Sequence, residues 1–92
     1  MVEVDGEITA VISLSADSKK LEKVIRQLVE MPETQDVYEV TGEYDLIAVV
    51  KARDISDFRS IVKDKILQID GVANSVSSFV LYTHKKGGGK HG

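Results

Sequence analysis

A chain of 92 residues, 42% hydrophobic, with a net charge of −3, supports one domain with a single core. The absence of cysteine excludes a disulfide scaffold, thiolate metal sites and a cysteine nucleophile, and it fits a reducing, cytoplasmic setting. No apolar run reaches the roughly 18 residues of a membrane span, and the early acids Glu3, Asp5 and Glu7 are the opposite of a signal-peptide start.

Met1 to Gly6 is acidic and expected to fray. From Glu7 to Ser15, Ile8, Ala10, Ile12 and Leu14 alternate with Thr9, Val11, Ser13 and Ser15, the period of a strand. Asp17 or Ser18 can cap the helix that follows. Leu21, Val24, Ile25 and Leu28 recur at three- and four-residue steps, one stripe of an amphipathic helix. Pro32 disfavours the α conformation at Met31, so this helix stops by about Glu30. Glu33 to Asp36 reads as a loop.

A hairpin comes next, with strands near Val37–Thr41 and Asp45–Ala52. Gly42 suits its turn because glycine reaches positive φ without a Cβ clash. Leu46 to Val50 is the most apolar run in the chain. Leu46, Ala48 and Val50 point to one face, and Ile47 and Val49 to the other. A strand apolar on both faces is covered on both. Asp54 opens a second helix, with Asp57 in its first turn. Its apolar stripe is Ile55, Phe58, Val62, Ile66 and Ile69, with Ile61 beside it. Gly71 suits the C-terminal cap, and Val72–Thr83 is a fourth strand. Residues 86–92, with Gly87-Gly-Gly89 and Lys90, form a basic, glycine-rich tail expected to be disordered.

The order βαββαβ predicts an α+β, ferredoxin-like sandwich of residues 7–85: a four-stranded antiparallel sheet with two helices on one face. The bare face should carry apolar residues of the third strand, with Val11 and Phe79. A patch of that kind implies a partner, most simply a second copy packed sheet to sheet.

Little in the chain suits chemistry. His84 and His91 are the only histidines, and both lie at the C-terminal end of the chain, so no metal site is expected. Asp54 and Asp57 fit a capped helix start better than an acid–base pair. Gly87-Gly-Gly-Lys90 lies between no strand and helix and lacks a following Ser or Thr, so it is not a phosphate loop. The two central strands lack the aromatics an RNA-binding sheet stacks on bases. Lys85, Lys86 and Lys90 follow every acid in the chain. The net −3 is therefore −6 without them, and such a body repels a phosphate backbone. Ser13, Ser15, Ser77 and Ser78 have no nearby histidine to act as base. The Thr41–Asp45 turn has two readings. It is an ordinary hairpin connection, or a pocket in which amides around Gly42 hold a carboxylate and Asp45 holds an ammonium group.

Val40-Thr-Gly-Glu-Tyr-Asp-Leu46, followed by strand, helix, Gly71-Val72 and Ser77-Ser-Phe-Val-Leu81, resembles the RAM domain, the effector-binding and oligomerising half of Lrp/AsnC transcription regulators. The resemblance runs from about Glu7 to Lys85. It implies a non-enzymatic module without cofactor or metal that dimerises through its sheet faces as an α/β barrel. Dimers then assemble into rings, often octameric. It also implies a small amino-acid effector in the seam between dimers, facing Thr41, Gly42, Tyr44 and Asp45, with Ser77 and Ser78 as weaker contacts. Full-length members carry an N-terminal helix-turn-helix domain that has no counterpart in these residues. The expectation is a stand-alone RAM protein that acts on a full-length Lrp/AsnC regulator without direct nucleic-acid or membrane contact. An ACT-like regulatory subunit of a metabolic enzyme shares the strand order and is the alternative. An acylphosphatase-like enzyme would need an arginine in the loop after the first strand. Ser15-Ala-Asp-Ser-Lys-Lys20 has none.

Overall fold

The computed structural model describes residues 7–90. The expected fraying of residues 1–6 and the tail histidine His91 lie outside them. Strand β1 (Ile8–Ala16) leads into a 3-10 turn (Ser18–Lys20) and helix α1 (Leu21–Glu30). Then come β2 (Thr34–Glu39), β3 (Leu46–Ala52), α2 (Ile55–Ile61) and a π-helical turn (Val62–Ile66). Strand β4 (Val72–Phe79) and the two-residue strands β5 (Lys85–Lys86) and β6 (Gly89–Lys90) are the last elements among the described residues. The four long strands form one sheet in the order β2-β3-β1-β4, with every pairing antiparallel. With its helices packed on one face, this is the expected ferredoxin-like sandwich.

Alternation decides which face is buried. Ala10, Ile12 and Leu14 of β1 and Leu46, Ala48 and Val50 of β3 are all fully buried under the helices. Val24 and Leu28 of α1, Phe58 and Ile61 of α2, and Ile66 and Ile69 beyond it close the core. Phe79 packs edge-on against Phe58, with ring centroids 5.0 Å apart. It therefore faces the helices, and the expectation that it lies on the bare face is corrected. Its register partner on β1 is Ala10, a core residue, which fixes the side it takes. Val76, opposite Ser13, takes the bare face instead.

Element boundaries differ from the expected ones for local reasons. Asp17 accepts from the Lys19 amide at 3.0 Å and caps the 3-10 turn, so the α-helix starts only at Leu21. Strand β2 begins at Thr34, inside the expected loop, and stops at Glu39. A bulge between Thr34 and Asp36 breaks the alternation that marks a strand in sequence. Thr34 Oγ1 also donates to the carbonyls of Leu28 and Met31, at 2.7 and 2.9 Å, closing the end of α1. The second helix passes through a π-helical turn, and its first residue, Ile55, is half exposed instead of buried. Strand β4 ends at Phe79, although the Val80 amide still donates to Thr9 O at 2.9 Å. Beyond it Lys85–Lys86 pairs with Gly89–Lys90, where a disordered tail is expected from composition. Gly87 and Gly88 both have positive φ, the requirement of a tight two-residue hairpin turn.

The two sheet edges differ. Edge strand β2 carries the bulge, Asp36 and Glu39, features that discourage further strand pairing. Edge strand β4 carries no charge from Val72 to Phe79.

Three carboxylates are held below their ordinary range by basic partners. The Lys65 ammonium, in contact with Glu33 Oε2, lowers Glu33. The Arg53 amide and guanidinium lower Asp57. Lys20, 2.9 Å from Asp70, lowers Asp70. Groups lowered in the folded state contribute stability above the unfolded pKa and lose it as pH falls through the folded value. The urea midpoint should therefore hold near neutrality and fall from about pH 5 toward pH 3. A midpoint rising over that interval would contradict these three pairings.

Candidate functional site

The Thr41–Asp45 connection sits at the end of the sheet where β1 finishes. Leu46 pairs with Leu14, and the Asp45 amide donates to Leu14 O at 2.9 Å. The Val40 amide donates to Asp45 O at 2.9 Å and closes the hairpin. Gly42 has φ +117 with open space where a Cβ would stand, so glycine is required there by backbone conformation and not by room. Thr41, Gly42 and Glu43 are exposed, while Tyr44 and Asp45 are half-buried.

Asp45 already has a structural task. Its Oδ2 accepts the Ala16 amide at 2.9 Å, at the point where the β1–β4 register shifts between Ser15 and Ala16. On the β3 side the ladder ends at Leu14 and Leu46, so the Ala16 amide lies beyond the last strand pair and the carboxylate satisfies it. Sequence spacing gave no hint of this bond, which ties the end of β1 to the start of β3. Asp45→Ala should leave the amide without its partner and cost about 1–3 kcal/mol. Asp45→Asn keeps an acceptor and should cost less than Asp45→Ala. Urea titration of both variants measures the difference, and equal losses would refute the capping role.

Ser77 and Ser78 lie elsewhere. They pair with Ile12 and Val11 on the far edge strand, two strands from β3, roughly 10 Å across the sheet. Both are exposed, but they point to opposite faces: Ser77 to the helices and Ser78 to the bare face. The structure thus groups Thr41, Gly42, Tyr44 and Asp45, and one protomer does not bring the two serines to them. Among the described residues, no cluster of His, Cys, Asp or Glu has the makings of a metal site. No helix among them is long and apolar enough to cross a membrane.

The bare face is a trough of about 880 Å³. Val11 and Val49 form its floor, Asp36 and Tyr38 one wall, and Val80 to Thr83 the other. Tyr38 and Val76 on this face are about half exposed. The signal for Tyr38 was present in its two-residue spacing from Asp36 but was masked by the bulge beside it.

Comparison with known proteins fixes the family. A model of the Lrp/AsnC ligand binding domain matches residues 9–89. The chain belongs to the Lrp/AsnC family. One curated Lrp/AsnC-type relative is an HTH-type transcriptional regulator of Pyrococcus horikoshii, 37% identical over 75 residues, which cover 82% of this chain and 50% of that regulator. The chain spans about half the length of the curated relatives it matches. Among solved structures, a transcriptional regulator from Neisseria meningitidis crystallised with L-Met aligns with TM-score 0.84 and 28% identity, over 90% of this chain and 55% of that one. A Thermus thermophilus protein aligns with TM-score 0.80 and 26% identity, over 86% of this chain and 99% of that one. The relatives of this Lrp/AsnC domain are named as regulators of transcription, not as enzymes.

Proposed function

We propose that this Lrp/AsnC domain is a self-assembling effector sensor in the cytoplasm. Two copies pack sheet face to sheet face, and dimers join into a ring, an octamer or similar. A small amino acid or related metabolite binds at the seam between dimers. Thr41, the Gly42 backbone, Tyr44 and Asp45 face it, with Ser77 and Ser78 contributed by another copy. The observation that carries this reading is the hairpin end itself. It offers exposed backbone at Gly42 beside a carboxylate, in a chain whose Neisseria meningitidis relative was crystallised with L-Met. Free amide groups suit a ligand carboxylate, and Asp45 Oδ1, which takes no hydrogen bond among the described residues, suits its ammonium group. Mixed assembly with a full-length Lrp/AsnC regulator would carry the signal to genes of amino-acid metabolism without direct contact between this acidic body and nucleic acid.

Calorimetric titration with the standard amino acids tests the ligand class, and binding of at least one is expected. Asp45→Asn should weaken it by about tenfold or more, because a hydrogen bond to a charged group contributes about 1.5–3 kcal/mol. Binding of none would refute the ligand class. Unchanged affinity in the variant would remove Asp45 from the site.

A further inference from the structure

The segment after β4 is built unlike the rest of the molecule. After the Val80 amide bonds to Thr9 O, the chain leaves the sheet, and Val80, Leu81 and Tyr82 run consecutively at the surface. Leu81 is 96% exposed, more than any other large apolar side chain described. Tyr82 packs edge-on against His84, with ring centroids 4.8 Å apart. The molecule measures 43 Å along its longest axis. Its radius of gyration is 13.8 Å, against about 12 Å for a compact chain of this size.

This arm borders the trough on the bare face but does not fill it. One face therefore carries a ridge ending in Leu81 beside a hollow floored by Val11 and Val49. A two-fold contact requires one patch to be complementary to itself, and a ridge next to a hollow meets that requirement. The charges agree, since Lys86 lies on the arm's wall and Asp36 on the opposite wall.

We infer that the arms are exchanged: Leu81 of each copy inserts into the trough of the second copy, between Val11, Val49 and Tyr38. This rests on the sheet-face dimer proposed above and names the side chain that locks it. Lys86 then reaches Asp36 of the other copy. The arm is thus a dimer clamp, and residues 80–86 belong to the interface.

Two measurements test it on the full chain. Leu81→Ser should leave the circular dichroism of the protomer unchanged, because the side chain touches almost nothing within it. Sedimentation velocity over a dilution series should show the dimer dissociation constant rising roughly tenfold per arm, and so roughly a hundredfold per dimer. Separately, chains carrying Leu81→Cys and chains carrying Val11→Cys are mixed and oxidised. The native chain has no cysteine, so a cross-link between the two different chains reports insertion. A dimer of unchanged affinity with Leu81→Ser, or no mixed cross-link, overturns the exchange while leaving the sheet-face dimer standing. A monomeric native chain overturns both.

Discussion

Gly71→Ala is expected to destabilise the domain by about 2–4 kcal/mol, read as a lower urea midpoint at unchanged slope. Gly71 has φ +110, where an L side chain costs about 1–2 kcal/mol. A Cβ there would also stand 2.8 Å from Lys20 Cβ and 3.0 Å from Val24 Cγ2. Neither neighbour can easily give way. Val24 is fully buried in the core, and Lys20 is tied to Asp70 at 2.9 Å. The Gly71 carbonyl accepts the Asp17 amide at 2.8 Å, so a shift of the backbone would break the joint between β1, α1 and β4. A loss under about 1 kcal/mol would mean that this joint relaxes freely.

Val49→Asp is expected to weaken the proposed dimer by about a thousandfold or more while leaving the protomer folded. Val49 lies at the centre of the bare face, opposite Val11 on one side and Asp36 on the other. In one copy it is half-buried and can hydrate a carboxylate at a cost of about 1 kcal/mol in strand preference. Across a sheet-to-sheet contact the same charge is buried beside Asp36 without a partner, which costs about 3–5 kcal/mol. Light scattering across a dilution series measures the shift. An unchanged dimer would place the contact on another surface.

Much of the sandwich was legible because its signals are local. Leu46, Ala48 and Val50 alternate without interruption, and the α1 stripe keeps its three- and four-residue steps up to Pro32. What escaped detection depended on neighbours distant in sequence. The side taken by Phe79 follows from its register with Ala10 and its contact with Phe58. The start of β2 was hidden by a bulge defined only by its pairing with β3. At the hairpin, Gly42 was legible from its turn chemistry. The second use of Asp45 was not, because its partner is a backbone amide 29 positions away. The motif itself was readable, but only through a family resemblance, since residue chemistry alone left a plain turn open.

The strand order also sets a schedule. The hairpin of β2 and β3 brings Glu39 to Leu46, a closure of few residues that can form early. The innermost position belongs in part to β1, whose second neighbour is β4, joining Ala10 to Phe79 across most of the chain. During synthesis β1 therefore emerges before the other strands and waits longest, with one side unpaired until β4 has left the ribosome. Folding of this domain should be committed late and rate-limited by that last docking. A chain stalled before residue 72 would present the bare side of β1 to any other strand of matching pattern.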